Sequence, residues 1–515
     1  MADNYKASKE AFVSGATGST ILHINMISAV ALASIALHSA MRSRIQVFKS
    51  MPFVVEWLTL ILPLLLVMTV FADAPGALSA LLLAPTVTLL LVPPLERGLP
   101  LPSRNADGLV SPAGSPVSQP RPTPPSLRPL PALTTYRAHM LLMTIISILA
   151  VDFPVFPRSL AKCETFGVSL MDLGVGSFVF SQGVVSAIPL IKDPSHLRAP
   201  LVPKLVTVSR KMLPVIALGV VRVLLVKGSE YPEHVTEYGT HWNFFITLAI
   251  LPIIQTLLHP VIIRIPIALL GIWLGVVQEY ILSVGGLKEV VLNAPRSNII
   301  MENKEGIASL LGYVSIHLLG LSTGTIILPP SPSYFRKSRD ALREGSGNHT
   351  LPLDPAIPRQ HAKTVIELFS YSAVWWVLLG FTRLGVDVSR RMANSPYVLW
   401  VAAFNTSFIL GYHLLDMFFF PTRTTRIKDP NDPTGKRLLV PQETYDDQVK
   451  AGLLAAVNKN GLVLFLLANV ATGLINLSIP TMYTSDGRAM VILGGYAFGV
   501  CLVAWIVRRV RVWRL

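Results

Sequence analysis

Long apolar stretches separated by shorter polar segments recur along the whole chain. An α-helix needs about 20 mostly apolar residues to cross a bilayer, and about thirteen stretches approach that length. The pattern therefore predicts an all-α polytopic membrane protein with no soluble domain. The predicted spans lie near residues 20–41, 52–71, 77–92, 134–151, 166–187, 212–226, 242–258, 261–284, 307–327, 365–382, 396–420, 451–479 and 489–507.

The composition agrees with this pattern. Hydrophobic residues make up 51% of the chain and charged residues 14%, whereas a typical soluble domain has about 25% charged residues. The mean hydropathy is +0.54, which excludes an ordinary soluble enzyme. Cys163 and Cys501, the two cysteines of the sequence, are too few for a disulfide framework or a multi-cysteine metal site, and we predict no metal.

The net charge of +15 could indicate a nucleic-acid partner. The basic residues lie in loops between the apolar stretches, however, as is usual in membrane proteins, so we predict no such partner. Every second connection is rich in Lys and Arg, whereas segments 72–76 and 228–241 contain neither residue. The basic segments are 42–49, 97–128, 192–210, 336–343, 423–437 and 508–514.

This alternation predicts the orientation, because cytosolic loops carry the excess of basic residues. An odd number of spans then places the N-terminus on the far side and the C-terminus in the cytosol. Arg383, Arg390 and Arg391 lie on the far side and contradict the rule, which leaves the choice between twelve and thirteen spans open.

Three polar segments interrupt what we otherwise interpret as one transmembrane domain over residues 1–515. Segment 93–131 is dense in Pro and Ser, and segments 329–360 and 421–448 are polar with mixed charge. Such compositions cannot build a packed core. All three fall on the basic side, so we predict cytosolic linkers.

The most informative stretch for chemistry begins where an apolar run ends at Asp152. Pro154 and Pro157 prevent the helix from continuing, and Arg158 and Lys162 follow. A carboxylate at the end of an apolar run is a functional hypothesis by default, because leaving it unpaired costs several kcal/mol. We predict that the short, stiff loop pairs Asp152 with Lys162. The spacing equally allows a structural ion pair at a helix end, with Arg158 and Lys162 as interfacial anchors.

Other polar residues lie within the spans. Asp172 follows about two turns into its span among several glycines, and a hydrogen-bonded carboxylate in a tight helix contact explains it better than catalysis. His139 and His317 are also within apolar stretches, and His317 is the second candidate for a catalytic base. The sequence has no G-x-S-x-G, P-loop or H-E-x-x-H motif.

Several separated blocks run nearly from end to end of the chain. They are Tyr5-Lys6 with Lys9-Glu10-Ala11-Phe12-Val13-Ser14-Gly15, Val151-Asp152-Phe153-Pro154, Ser169-Leu170-Met171-Asp172-Leu173-Gly174-Val175-Gly176, Tyr238-Gly239-Thr240-His241-Trp242-Asn243-Phe244-Phe245, Asn303-Lys304-Glu305-Gly306 and residues 469–476. In sequence and in order these blocks resemble one family, the inositol acyltransferases of GPI-anchor biosynthesis, which acylate glucosaminyl-phosphatidylinositol.

The resemblance implies an endoplasmic-reticulum membrane enzyme with thirteen spans and a lumenal N-terminus. It implies acyl-CoA, typically palmitoyl-CoA, as the co-substrate, with no further cofactor, and the inositol 2-hydroxyl of the glycolipid as the acceptor. The family's essential Asp and Lys correspond to Asp152 and Lys162. We expect Asp152 to be the general base and Lys162 to contact the thioester oxygen or the lipid phosphate.

The acceptor also needs polar contacts at the lumenal face. We expect His241, Trp242 and Asn243, with Asn303 and Lys304, to supply them, and Lys304 to pair with the phosphate. Interfacial anchoring explains these residues nearly as well. Arg158 and Asp172 are further candidates for substrate binding.

A transporter of lipids or small molecules is the competing class, since it would also have about a dozen spans with rare intramembrane charges. Such proteins usually consist of paired halves with broken helices in matching positions. The sequence shows no repeat of that kind.

The charge pattern predicts Met1 in the lumen and Leu515 in the cytosol. Protease treatment of sealed microsomes should therefore remove a C-terminal tag and spare an N-terminal one. Protection, or loss, of both tags together would contradict an odd number of spans.

Overall fold

Helices make up almost all of the regular structure. The computed structural model describes residues 8–9, 11–12, 14–49, 51–95, 127, 129–227, 235–344, 359–421, 424–428, 437–441 and 452–513. Tyr5 of the first matched block, most of segment 93–131 and parts of segments 329–360 and 421–448 lie outside the described residues.

The helices follow the predicted spans in order. They are α1 Ile21–Arg44, α2 Phe53–Leu60, α3 Leu62–Val67, α4 Pro75–Leu90, α5 Pro131–Ala150, α6 Leu170–Lys192, α7 Leu201–Lys227, α8 Val235–Tyr238, α9 Phe244–Leu257, α10 His259–Arg264, α11 Ile267–Ser283, α12 Leu287–Asn293, α13 Ile299–Glu302, α14 Lys304–Ile327, α15 Tyr334–Arg343, α16 His361–Thr382, α17 Ser395–Phe419, α18 Gly452–Lys459, α19 Gly461–Ser478 and α20 Asp486–Ile506.

The predicted fold class is confirmed: this is a helical, multi-pass membrane protein. Within the described residues, 8 helices are long and apolar enough to span a bilayer. A ninth span results if α11 and α12, which meet at a bend of 62°, are counted together. The apolar segments Phe53–Val67, Pro75–Leu90 and Phe244–Leu257 are shorter, so the count of thirteen stays a prediction.

Local sequence explains where several helices begin. The side chains of Thr20, Ser169, Asn243 and Asn394 accept hydrogen bonds from backbone N–H groups in the first turns of α1, α6, α9 and α17. These residue types are preferred as N-caps because their oxygens satisfy donors that have no partner within the helix.

Two of the predicted linkers contain regular structure. Helix α15 lies within segment 329–360 and buries Phe335 and Ser338, while its Arg and Lys side chains make the rest of its surface polar. Segment 421–448 contains an antiparallel pair of strands, β1 Thr424–Lys428 and β2 Arg437–Pro441.

Loops that the charge pattern assigns to one side contact one another. Gly167 N–H donates to the Val388 carbonyl (2.9 Å), and Thr240 N–H donates to the Glu302 carbonyl (2.9 Å). Segments 14–20, 151–169, 235–243, 285–303 and 383–394 thus form one end of the bundle, which we call the site end. At the opposite end, Lys204 Nζ donates to the Leu197 carbonyl (3.2 Å).

Helix α14 is the central element, because 89% of its 18-residue apolar stretch is buried inside the protein. It packs against α6 through glycines, where the two backbones are so close that a Cβ atom has no room. A Cβ at Gly320 would collide with the Phe180 carbonyl, one at Gly324 with the Val184 carbonyl, and one at Gly183 with the His317 carbonyl. Small residues allow this approach, which strengthens dispersion contacts in a membrane where the hydrophobic effect does not drive helix association.

We expect Gly320→Val to destabilise the protein by about 1–3 kcal/mol or more, because overpacking forces α6 and α14 apart. Gly380→Val in α16 is the matched control, since nothing lies within 4 Å of a Cβ placed there. Thermal unfolding in detergent should show a clearly lower Tm for the Gly320 variant. Equal Tm values would contradict the close α6–α14 contact.

Candidate active site

The loop between α5 and α6 is held by Arg158. Its Nη2 donates to the carbonyls of Val151 (2.8 Å), Phe153 (3.3 Å) and Phe156 (2.9 Å). The guanidinium also lies 4.3 Å from the ring centroid of Phe12. Burial lowers the pKa of Arg158, and the charge of Asp152 opposes that shift. The structure thus shows Arg158 fixing the loop, and its role in substrate binding stays a prediction.

Asp152 is 1% exposed and has two partners from distant parts of the chain. Lys9 Nζ lies 3.3 Å from its Oδ1, and Asn476 Nδ2 donates to its Oδ2 (2.8 Å). Asn476 Oδ1 in turn accepts from Lys9 Nζ (2.9 Å) and from the Thr481 hydroxyl (3.1 Å). The carboxylate is therefore paired with a cation and fixed in orientation by a cluster that joins the N-terminal segment to the end of α19.

Lys162 has a different partner. Its Nζ donates to both carboxylate oxygens of Glu237, at 2.8 and 2.9 Å. The predicted contact between Asp152 and Lys162 is therefore wrong for the described structure. The loop is short enough for such a contact, but Lys9 supplies the cation that Asp152 needs, and Glu237 supplies the anion for Lys162.

The segment before α1 lies across this loop. Gly15 N–H donates to Glu164 Oε2 (3.1 Å), and Ser19 N–H donates to the Val168 carbonyl (2.7 Å). Gly18 has φ +82° and Gly167 has φ +133°, and a Cβ at either position would also collide with neighbouring backbone. Both positions therefore require glycine.

The same crossing buries Cys163. Burial and the neighbouring Asp172 carboxylate raise the pKa of the Cys163 thiol well above its ordinary value. A thiol is nucleophilic as its thiolate, so Cys163 is unsuited to form an acyl-enzyme.

Asp172 is a structural residue in this arrangement. Its Oδ1 accepts from Arg390 Nε (2.6 Å), and its Oδ2 accepts from Cys163 N–H (2.9 Å) and the Ser169 hydroxyl (2.8 Å). The Tyr397 hydroxyl donates to its backbone carbonyl (2.8 Å). Both carboxylate oxygens bind protein groups, so the structure does not support the substrate-binding role expected for Asp172. It supports the alternative, a hydrogen-bonded carboxylate in a helix contact.

The buried ion pairs also explain two of the arginines that contradicted the charge pattern. Arg390 pairs with Asp172, and Arg391 Nη2 lies 2.9 Å from Glu305 Oε1. Glu305 pairs with Arg296 as well (2.6 Å). Arg390 and Arg391 are therefore internal, neutralised charges rather than free loop charges of the kind that set orientation.

The predicted acceptor residues near Trp242 bind mainly the protein itself. Asn303 Oδ1 accepts from the backbone N–H groups of His241 and Trp242, both at 2.9 Å. Asn243 caps α9 and donates to the Gly219 carbonyl (2.8 Å). Lys304 Nζ donates to the carbonyls that end α12, at 3.1 Å and 2.6 Å.

These contacts argue against the expectation that the five residues form a polar surface for the acceptor. Asn243, Asn303 and Lys304 are buried, with their polar atoms engaged in caps and turns. Trp242 donates from Nε1 to the Thr247 hydroxyl (2.9 Å). His241 is the most exposed of the five, and its Nδ1 lies 3.4 Å from a Glu302 oxygen.

A cavity of about 200 Å³ lies beside the loop, between α1, α5, α6, α7, α9, α17 and α19. Apolar side chains dominate its lining, among them Met143, Phe178 and Phe465. On α5 the lining extends from Tyr136 to Ile148, which corresponds to about 18 Å at a rise of about 1.5 Å per residue. The cavity is thus long and mostly apolar.

Polar groups lie at both ends of this cavity. At the site end Lys162, Glu237 and Arg222 line it, and we call these three residues the polar mouth. At the inner end His139 Nδ1 lies 2.8 Å from the Tyr412 hydroxyl. His317 Nε2 lies 2.7 Å from Gln255 Oε1 in the interior of the bundle and does not line the cavity. The structure therefore does not support His317 as the base.

Asp152 lies at the site end, beyond the part of α5 that lines the cavity. It follows the lining residue Ile148 by about one helical turn, and its partner Asn476 follows the lining residue Asn469 by about two turns on α19. The cavity lining does not include Asp152. The arrangement combines a mostly apolar cavity with a charged mouth and a fixed carboxylate at the same end of the bundle.

The sequence profile of the GWT1 family matches residues 5–507. The chain belongs to the GWT1 family. It is 38% identical to GPI-anchored wall transfer protein 1 of Aspergillus oryzae, with 99% of each chain covered. The protein of that name from Aspergillus fumigatus is 37% identical over 96% of each chain, and that from Eremothecium gossypii is 38% identical over 98% of each.

Membership of the GWT1 family confirms the resemblance to the inositol acyltransferases of GPI-anchor biosynthesis, and it gives the chain a role in that pathway. Four residues of the site were not among the predicted ones: Lys9, Arg222, Glu237 and Asn476. Signals for them existed. Lys9 and Asn476 lie in matched blocks, Arg222 is a cation within a predicted span, and Glu237 lies in the acidic segment 228–241.

Arg390→Met should destabilise this GWT1-family protein by about 3–5 kcal/mol, because it leaves Asp172 as an unpaired buried charge. Arg339→Met is the control, since Asp340 is 51% exposed and surface pairs contribute about 0–1 kcal/mol. Thermal unfolding in detergent measures both changes. Adding Asp172→Asn to the Arg390 variant should restore part of the loss, and a loss no larger than that of the control would contradict the structural role.

Proposed function

We propose that this protein transfers a fatty acyl chain, typically palmitoyl, from acyl-CoA to the inositol 2-hydroxyl of glucosaminyl-phosphatidylinositol. The protein would act in the endoplasmic-reticulum membrane, with its N-terminus in the lumen. The observation that carries the proposal is the apolar cavity whose charged mouth lies at the same end of the bundle as the fixed carboxylate of Asp152, in a member of the GWT1 family.

The cavity suits the acyl donor. Side chains from α5, α6 and α19 give it a mostly apolar lining, which on α5 extends about 18 Å by the helical rise and suits a hydrocarbon chain. With the acyl chain in the cavity, the thioester carbonyl would lie at the polar mouth. Lys162 is then in reach of the carbonyl oxygen, where it stabilises negative charge as the carbonyl is attacked.

The acceptor needs a base, because a secondary hydroxyl is a weak nucleophile until its proton is removed. Asp152 takes this proton as the inositol oxygen forms a bond to the carbonyl carbon. The carbon–sulfur bond then breaks, and the CoA thiolate leaves and recovers a proton. This direct transfer needs no acyl-enzyme, which agrees with the buried state and raised pKa of the Cys163 thiol.

Lys9 and Asn476 would be positioning residues in this mechanism. They hold the two oxygens of Asp152 in a fixed orientation. Because Asp152 is buried, the acceptor hydroxyl must enter between the polar mouth and this cluster, and it displaces or shares one of these contacts. A transporter remains the alternative by span number, but no feature of the described residues favours it.

Asp152→Asn keeps the shape of the side chain and removes the base. It should lower the rate of transfer by about 10²- to 10⁴-fold, with protein level and glycolipid binding preserved. Lys162→Ala should be comparably impaired. The measurement is acyl transfer by purified protein from labelled acyl-CoA to glucosaminyl-phosphatidylinositol, followed by lipid extraction.

Asp486→Asn is the matched control, because Asp486 is an exposed aspartate at the start of α20. Its rate should equal that of the unaltered protein. Near-normal turnover by the Asp152 variant would contradict the base role, and an acyl group trapped on Cys163 would rule out direct transfer.

A further inference from the structure

The ion pair at the polar mouth is open to a ligand. Lys162 and Glu237 make two hydrogen bonds, at 2.8 and 2.9 Å, and both residues line the cavity. Their side chains are 32% and 15% exposed, whereas the arginine–carboxylate pairs of the site end each include a carboxylate that is 0% or 1% exposed. A ligand in the cavity can therefore reach this pair and compete for either partner.

The proposed acceptor carries the complementary charges. A glucosaminyl-phosphatidylinositol headgroup has one ammonium on the sugar and one anionic phosphodiester. The mouth offers the Glu237 carboxylate to the first and the Lys162 ammonium to the second. Arg222 lines the same mouth and forms no ion pair within the described part of the chain, so it is a further cation for the phosphodiester.

We propose that Glu237 recognises the free amino group of the acceptor and that this ammonium replaces Lys162 on the carboxylate. The inference rests on the proposed function, since it names how that acceptor is selected. The exchange keeps Glu237 paired and releases Lys162 to contact the phosphodiester or the thioester oxygen. Lys162 is thus available for chemistry when the correct headgroup is bound.

An N-acetylated sugar cannot make this exchange, because its amide carries no charge. Either Lys162 stays on Glu237 and is absent from the reacting groups, or it leaves and the Lys162–Glu237 ion pair is lost from a partly buried site with no charge to replace it. Both outcomes are unfavourable. Glu237 is therefore a specificity-determining residue that admits the deacetylated glycolipid and rejects its precursor-like N-acetyl form.

The test compares two glycolipids, glucosaminyl-phosphatidylinositol and its N-acetyl derivative, on purified full-length protein. Binding is measured by the thermal shift that each lipid produces, and kcat/KM is measured by acyl transfer. The variants are Glu237→Gln, which removes the charge, Glu237→Asp, which keeps it, and Glu289→Gln, which removes an exposed carboxylate at the same end of the bundle.

The unaltered protein and the Glu289 variant should prefer the free amine by at least about tenfold in both measurements. Glu237→Gln should lose that preference by weakening the amine substrate alone, and Glu237→Asp should retain part of it. An equal loss on both lipids, or an unchanged preference, in Glu237→Gln would overturn the inference while transfer itself still supports the proposed function. Amine-selective binding that depends on Glu237, without any transfer, would instead overturn the proposed function and leave the recognition intact.

Discussion

Buried charge is the constraint on which the site end of this protein depends. An ion removed from water costs several kcal/mol unless a counter-charge and hydrogen bonds accompany it. Asp152, Asp172 and Glu305 are each 0% or 1% exposed, and each is neutralised by a cation from a different part of the chain. Glu305 has a second cation nearby in the chain, Arg296, but no single segment supplies both partners for Asp152 or Asp172. The loops at this end must therefore assemble together before these two carboxylates are paired.

The Asp172 cluster illustrates this dependence. It joins the start of α6, the loop before it and the segment before α17 through one carboxylate. Within the bundle, the glycines along α6 and α14 let these two helices approach until their backbones touch. Charge pairing at the site end and close packing within the bundle thus fix α6, and α6 supplies one wall of the cavity.

The sequence was sufficient to predict the fold class and the order of the helices, because span length and apolarity are local properties. The bend between α11 and α12 was not predicted, although Gly285 and Gly286 lie at it and Gly286 has φ +70°. The division of the predicted span 451–479 into α18 and α19 at Asn460 was not predicted either. Arg390 and Arg391 were misleading because counting charges along the chain does not reveal which of them are buried and paired.

The ion-pair partners of the site residues were harder to predict than the segment that contains these residues. The sequence singled out the loop containing Asp152 and Lys162, but the sequence interval between two ions does not determine whether they meet. Lys162 pairs with a residue 75 positions away, and Asp172 with one 218 positions away. The caps at Asn243 and Asn303 show the opposite difficulty, because polar residues in a shared block can serve the backbone rather than a ligand.

The Asp152 cluster also has a consequence for biosynthesis. Asn476 follows Asp152 by 324 residues, so at about 5–20 residues per second the ribosome needs roughly 16–65 s to supply it. Throughout that interval Asp152 has been inserted but lacks its amide partner. The Asp152 cluster is therefore assembled late, once α19 has been synthesised and Asn476 reaches Asp152. A protein truncated before α19 would retain most of its helices without ever assembling this cluster.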